Sequence, residues 1–241
     1  MKFLSLILMF AFSSIHAQQI VNYVFVGDKG ITTDVDEAHS FIIVKKYNDR
    51  FQRLDYKINA PLIKERNFSD SSLSILEGNY NFYNADGAQI ETGNYKNNLK
   101  DGAWYHFDNE NKIILEEEYK DGVIITTKTD FSKKSDTLKE ESFKDNQEAM
   151  FGKGNFEFVK YLKKNINGNV GRDLTKGGIV LVGFTIDTTG KCFNIFLKKS
   201  VEYKVDEEAR RVIEKCPNWK PAFQNGKLLN AYRLQPISFM K

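Results

Sequence analysis

The sequence has few of the residues on which several common classes of protein depend. It contains four prolines, two cysteines and three histidines among 241 residues. The prolines, Pro61, Pro217, Pro221 and Pro236, are single, which excludes a long polyproline spacer. The longest apolar run is shorter than the roughly 20 residues that a membrane-spanning helix needs.

Motifs for catalysis or metal binding are also scarce. The sequence has no G-x-S-x-G motif and no phosphate-binding glycine loop. His106, Asp108 and Glu110 alternate, so on a strand they would share one face and could hold a metal ion. Asp108 and Glu110 also fall in a predicted hairpin turn, where acidic residues serve the turn itself. We therefore predict no enzymatic activity, no metal site and no cofactor.

The composition is typical of a folded globular protein. Charged residues make up 28% of the chain and hydrophobic residues 41%, both close to the averages. The net charge of +3 is small and its acids and bases are interspersed, so neither nucleic acid nor an anionic membrane is expected as a partner. The length suffices for two modest domains.

The first 17 residues have the pattern of a secretory signal peptide. Lys2 is followed by an apolar run of about ten residues, and small and polar residues then lead to Ala17. We predict that residues 1–17 are removed by cleavage after Ala17 and that the mature protein is exported. A retained N-terminal anchor is the alternative.

The front half of the chain contains an internal repeat. A shift of 24 residues places Gly78 on Gly102, Tyr80 on Trp104, Tyr83 on Phe107 and Tyr95 on Tyr119. Each unit predicts a strand, a polar turn (84–87, then 108–111) and a second strand, so residues 18–143 are predicted to be a mainly β domain of repeated antiparallel hairpins. The segments 20–26, 41–47 and 123–127 are expected to cap this stack.

The repeat resembles MORN repeats in its pattern of glycine, aromatic residue, polar turn and closing tyrosine. Its aromatic residues are expected to pack the hairpins together. A face that stacks on a ligand or glycan is the alternative.

The last part of the chain shows a fixed order of predicted elements. Alternating apolar residues predict strands at 179–186 and 195–197, joined by a turn at 187–190. Val205, Ala209, Val212, Ile213 and Cys216 recur at helical spacing. Asp206 is the expected N-cap of that helix, and Pro217 ends it.

Two further elements flank this region. Asn225-Gly226 predicts a turn before a last strand at 228–239, in which Pro236 is tolerated only near an edge or a bulge. An earlier amphipathic segment with Phe156, Val159, Leu162 and Ile166 predicts a first helix.

Four segments of this region resemble, in their order, the TonB C-terminal domain. They are G-G-I-V-L-V-G-F-T-I-D at 177–187, V-D-E-E-A-R-R-V-I at 205–213, P-N-W-K-P-A at 217–222 and P-I-S-F at 236–239. The resemblance covers about residues 150–241, and departs from the family at 167–171, where a frequent Tyr-Pro pair is replaced. It implies an α+β domain at 155–241, with an antiparallel sheet of about three strands packed with two helices, after a linker at 144–154.

The resemblance also implies a mode of binding. Domains of the family bind an extended segment of an outer-membrane receptor, which adds as a strand to the edge of the sheet. The expected binding strand comprises Leu228, Leu229, Asn230, Ala231, Tyr232, Arg233 and Leu234. Leu229, Ala231 and Arg233 are expected to select the partner. Internal pairing of this strand, or a homodimer, is the alternative.

The scarcity of proline limits what the family resemblance predicts. An energy transducer needs a retained inner-membrane helix and usually a long proline-rich stretch across the periplasm. We therefore expect a periplasmic protein of a Gram-negative cell envelope, with a role in transmembrane transport, that binds an outer-membrane receptor or another envelope protein. A membrane-tethered transducer and a structural envelope scaffold are the alternatives.

Cys192 and Cys216 raise the question of a disulfide, because the chain is predicted to be exported. A strand followed by an antiparallel helix brings both thiols into the same half of the domain. Cys192 points inward only if a bulge interrupts its strand. A bridge and two buried free thiols therefore both remain open.

Overall fold

The structure, a computed structural model, describes residues 19–131, 147–172, 174–175 and 177–241. The predicted signal peptide lies outside these ranges, as do residues 144–146 of the predicted linker.

Residues 19–128 form a ten-stranded antiparallel sheet, which we call the hairpin sheet. Its strands are β1 (Gln19–Gly27), β2 (Gly30–Thr32), β3 (Ala38–Lys46), β4 (Phe51–Lys57), β5 (Leu62–Phe68), β6 (Leu76–Tyr83), β7 (Gln89–Lys96), β8 (Leu99–Phe107), β9 (Ile113–Lys120) and β10 (Val123–Lys128). From β3 to β10 each strand pairs with the next along the chain, and β1 pairs with both β3 and β2. The prediction of repeated antiparallel hairpins is confirmed.

The 24-residue repeat is also a repeat of turn geometry. Positive φ occurs in register at Gly78 and Gly102, Gly87 and Asn111, Asn97 and Asp121, and Asn98 and Gly122. Two successive residues with positive φ form a type I′ turn, whose twist matches that of the flanking strands. The predicted turns are confirmed, since the N–H of Asn84 donates to the carbonyl of Ala88 and that of Asp108 to the carbonyl of Lys112.

The aromatic residues of the repeat pack on one another on the outer face of the hairpin sheet. The ring of Trp104 is fully buried, with centroid distances of 5.4 Å to Tyr80, 5.1 Å to Tyr95 and 6.2 Å to Tyr119. Gly93 lies under the indole, where a Cβ would come within 2.2 Å of Trp104 Cδ2. These rings hold neighbouring hairpins together.

The C-terminal domain is an α+β unit, as predicted. Its elements are α1 (Asn155–Asn165), a 3-10 helix (Gly168–Gly171), β11 (Gly178–Ile186), β12 (Cys192–Lys199), α2 (Tyr203–Glu214), β13 (Ala222–Gln224), β14 (Lys227–Leu229) and β15 (Ala231–Phe239). Strands β12, β11 and β15 form a three-stranded antiparallel sheet in that order. Val180, Val182, Phe184 and Ile186 of β11 are fully buried in the domain core.

The predicted apolar face of the first helix is right for Leu162 and Ile166, which pack in the core, and wrong for Phe156 and Val159. Phe158 and Leu162 are buried, whereas Phe156 and Val159 are 71% and 42% exposed. Residues four apart lie one above the other on a helix, and this pair meets the core through the ring of Phe158, which contacts Phe184. Phe156 instead packs beneath the ammonium group of Lys160 at the surface.

Asp206 is not the N-cap of α2. The helix begins at Tyr203, and its N-cap Glu202 forms no side-chain capping bond. Asp206 lies inside the first turn and reaches back to accept the backbone N–H of Val201 at 3.0 Å. The predicted apolar face is confirmed, since Val205, Ala209, Val212 and Ile213 are fully buried.

The hairpin sheet and the C-terminal domain share one hydrophobic core. Phe41, Ile43, Leu54, Tyr56 and Leu62, on the inner face of β3, β4 and β5, belong to the same cluster as the buried face of α2. The N–H of Ser200, directly after β12, donates to the carbonyl of Gly87 in the β6–β7 turn at 2.8 Å. The front half of the chain therefore fixes the position of α2 and β12.

Candidate functional site

The strand β15 lies at the edge of the C-terminal sheet and has an open side. It pairs with β11 over its whole length, from Ala231 opposite Ile186 to Phe239 opposite Gly178. Among the residues that the structure describes, none forms a backbone hydrogen bond with its other side. An edge strand of nine residues with unpaired backbone groups is a template for a further strand.

Pro236 indicates which residues of β15 direct their backbone groups outward. Proline cannot donate to the ladder, so it is tolerated in an edge strand where its nitrogen faces away from the neighbouring strand. The carbonyl of Pro236 accepts a bond from the side chain of Gln235 at 2.8 Å, in agreement with that orientation. In an antiparallel ladder, alternate residues share one orientation, so Tyr232 and Leu234 also present their N–H and C=O groups outward.

The side chains of β15 alternate between a covered and an open face. Tyr232 and Leu234 are 55% and 44% exposed. Arg233 lies on the covered face, where its guanidinium is 4.9 Å from the centroid of the Trp219 ring and donates to the carbonyl of Ala149 at 3.0 Å. Tyr232 and Leu234 are thus placed to contact a partner, and Arg233 serves the internal structure.

The predicted binding strand is divided in the structure. Leu228 and Leu229 belong to β14, which pairs with β13 across the Asn225-Gly226 turn. Asn230 separates β14 from β15, and only residues 231–234 of the predicted segment lie on the sheet edge. The signal for this division was present, because an Asn-Gly pair favours a hairpin and the chain after it must first complete that hairpin.

Residues 147–150 of the predicted linker pair with the chain at and just before β13. Gln147 and Phe223 exchange two backbone hydrogen bonds of 2.8 Å, and Met150 exchanges two with Lys220. This part of the linker is therefore held against the C-terminal domain.

The two cysteines are free thiols in the structure and lie close to each other. The interaction between them, together with burial, raises the pKa of Cys192 and contributes to lowering that of Cys216. The indole N–H of Trp219 also points to the Cys216 sulfur, at 3.3 Å. The strand–helix topology thus brings the thiols together as expected, and a disulfide between them stays a prediction.

On the buried side of the C-terminal sheet, α2 meets the hairpin sheet through buried charges. The guanidinium of Arg210 donates to both oxygens of Glu65, at 2.8 and 3.3 Å, and Gln52 donates to the same carboxylate at 2.7 Å. Lys45 forms an ion pair with Glu207. Burial would raise the pKa of Glu65, but the charge and hydrogen bonds of Arg210 outweigh it and hold that pKa below its ordinary value.

Asp206 is the second buried carboxyl at this interface. It accepts hydrogen bonds from the hydroxyls of Ser200 and Tyr56 and from the N–H of Val201. Burial nevertheless raises its pKa from 3.8 to about 7, because these bonds offset only part of the loss of solvation.

This raised pKa makes the stability of the protein depend on pH. A carboxyl that binds its proton more tightly in the folded state stabilises the fold at low pH, and the gain is lost as pH rises through the folded-state pKa. We expect Asp206 to lower the free energy of unfolding by about 2 to 3 kcal/mol between about pH 5 and pH 8. Urea denaturation at both pH values measures this change.

The matched variant is Asp206→Asn, which keeps an oxygen acceptor and removes the titration. It should show a smaller loss of stability over the same interval, with all other titrating groups unchanged. An identical pH dependence in both proteins would contradict the assignment.

The three residues weighed as a metal site, His106, Asp108 and Glu110, have other partners. His106 lies 3.4 Å from Glu117, and Asp108 accepts the N–H groups of Glu110 and Lys112 within its own turn. Within the described ranges, no group of three or more His, Cys, Asp or Glu residues could hold a metal ion. The helices described there are all too short or too polar to cross a membrane.

Together, a three-stranded antiparallel sheet, two helices on its buried side and an open edge strand define a domain suited to protein recognition. Residues 171–240 match the family described as Gram-negative bacterial TonB protein C-terminal, so this part of the chain is similar to a TonB C-terminal domain. The domain supports a role in transport at the cell envelope, and its family interacts with outer-membrane receptors.

The match does not include the hairpin sheet. The resemblance of that sheet to MORN repeats stays a prediction. Comparison with curated proteins gave no match, and comparison with solved structures gave none.

Proposed function

We propose that the protein is exported to the periplasm and binds an extended segment of an outer-membrane receptor as an added strand on β15. The observation that carries this proposal is the open side of β15, an edge strand in a domain whose family interacts with such receptors. Tyr232 and Leu234 direct their backbone groups outward and expose their side chains.

Backbone hydrogen bonds would supply much of the affinity in this mode of binding, and alternate side chains the selectivity. The incoming strand would pair with residues 231–235, because Pro236 has no N–H to offer beyond them. The selecting side chains would be Tyr232 and Leu234, in place of the predicted Leu229, Ala231 and Arg233.

The test is a titration of the isotope-labelled full chain with a synthetic peptide of a receptor's N-terminal extended segment, followed by amide chemical shifts. We expect shifts concentrated at residues 231–235. Leu234→Pro removes one outward N–H that β11 does not use, and should weaken binding by at least about tenfold.

The matched control is Leu234→Ala, which shortens the same side chain and keeps the N–H. It should bind more tightly than Leu234→Pro. Equal binding by the two variants, or peptide-induced shifts elsewhere in the chain, would exclude strand addition at β15. Export is tested separately, by fractionation of cells and determination of the mature N-terminus.

A further inference from the structure

A cavity of about 630 Å³ lies between the inner face of the hairpin sheet and the C-terminal sheet. Its floor is formed by β6, β7 and β8, on the face opposite to the Trp104 cluster, and its roof by β12 with Tyr232 of β15. This volume is in the range of small-molecule sites in proteins.

The floor of the cavity is a connected set of polar side chains. Asn81 accepts hydrogen bonds from Gln89 Nε2 and from Thr92 Oγ1, both at 2.7 Å. Gln89 is thereby oriented so that its Oε1 accepts from Lys198 Nζ at 3.2 Å. Asn81, Gln89 and Lys198 are each at most 8% exposed, so packing holds them in place.

Lys198, a residue of β12 in the roof, brings a buried cation against this floor. Its ammonium lies 3.1 Å from the centroid of the Phe107 ring, and in the described part of the chain no carboxylate forms an ion pair with it. Burial lowers its pKa to about 8, so it still carries its proton at neutral pH. A buried unpaired charge is unfavourable, and an anion bound in the cavity would neutralise it.

The roof presents aromatic faces. The rings of Phe196 and Tyr232 are within 13° of parallel, with centroids 6.3 Å apart. Phe196 can lie flat on the sheet because Gly183 beneath it has no side chain, and a Cβ there would come within 2.5 Å of the ring. Tyr105 offers a third ring from the opposite wall.

The rim is closed by an amide pair that joins the two sheets. Asn79 Nδ2 donates to Asn194 Oδ1 at 2.9 Å. Asn194 has a φ of 48°, at an irregularity in the pairing of β12 with β11, where the strand re-aims its side chain. Amide groups donate and accept hydrogen bonds, so they suit a ligand rich in hydroxyl groups.

We propose that this cavity binds a saccharide that carries a carboxylate. The ammonium of Lys198 would pair with the carboxylate, the amides would bind hydroxyl groups, and the ring face would lie against Phe196 and Tyr232. A carboxylate without a sugar ring would leave the amides and the aromatic faces without partners. A neutral sugar would leave the buried charge of Lys198 unpaired.

The probes are glucuronic acid and glucose, which share a ring and differ in the carboxylate, and acetate, which has the carboxylate without the ring. Each is titrated into the full chain, with the side-chain amide resonances of Asn81 and Gln89 as the readout. We expect glucuronate to bind at least about tenfold more tightly than glucose or acetate. Equal affinities of glucuronate and either other probe, or no shift of these resonances, would overturn the proposal.

Two lysine variants test the source of the preference. Lys198→Met should abolish the preference for glucuronate over glucose, and Lys199→Met, which removes the exposed neighbouring charge, should retain it. Should Lys198→Met fail to fold, Phe196→Leu replaces it, and its expected effect is weaker binding of both sugars with acetate unaffected. A preference that survives Lys198→Met would also overturn the proposal.

Discussion

Arg210→Met is expected to destabilise the protein by about 3 to 5 kcal/mol, because it leaves a buried carboxylate without its charged partner. Arg210 and Glu65 are 5% and 3% exposed and meet across the interface of α2 with the hairpin sheet. Without the guanidinium, the Glu65 carboxylate would be buried with Gln52 as its remaining partner. Urea denaturation near neutral pH measures the change.

The double variant Arg210→Met, Glu65→Met should recover most of that loss, because a buried ion pair and a packed apolar pair are often similar in stability. In Arg210→Met alone, the pKa of Glu65 should rise above its ordinary value. The loss of stability caused by Arg210→Met should therefore become smaller as the pH is lowered and Glu65 becomes protonated.

The matched control is Arg211→Met, the next residue of α2. Arg211 is 37% exposed, and its partner Glu208, although only 7% exposed, keeps the backbone N–H of Asn167 as a donor, so removal of Arg211 should have a smaller effect of about 1 to 2 kcal/mol. Similar losses for the two arginine variants, or no recovery in the double variant, would show that the buried pair does not hold the interface.

Gly87→Ala is expected to destabilise the protein by about 3 kcal/mol, through both backbone strain and a clash. Gly87 has a φ of +78°, and a Cβ there would lie 2.1 Å from the carbonyl oxygen of Ser200. The substitution should therefore push the β6–β7 turn away from the end of β12 and weaken the hydrogen bond from Ser200 to Gly87.

Gly102 offers a close control for Gly87. Its φ is +67°, and no atom lies within 4 Å of a Cβ built on it. Gly102→Ala should cost only the strain of a left-handed residue, about 1 kcal/mol. Urea denaturation gives the free energy of unfolding of each variant. The difference between the two values measures the stability that the contact between the hairpin sheet and the C-terminal domain contributes. Equal losses of stability in the two variants would show that this contact contributes nothing.

Local signals in the sequence predicted the hairpins and the C-terminal elements, and the family resemblance implied the α+β fold. The 24-residue repeat marks turns in which Asn, Asp and Gly adopt positive φ, a preference that belongs to the residues themselves. The buried face of α2 was likewise predicted by a local signal, the helical spacing of its apolar residues. The position of β15 at a sheet edge, in contrast, depends on which strands pair, and that follows from tertiary packing.

What the sequence by itself determined is therefore the repeated hairpins, the kind of the main C-terminal elements and the family match of residues 171–240. Only the tertiary structure brought together Glu65 and Arg210, which are 145 residues apart, or placed Lys198 over Phe107 beside Gln89. The reason is physical. Turns and helix faces follow from interactions between near neighbours in the chain, whereas an interface, an open edge or a cavity follows from the docking of two sheets and a helix.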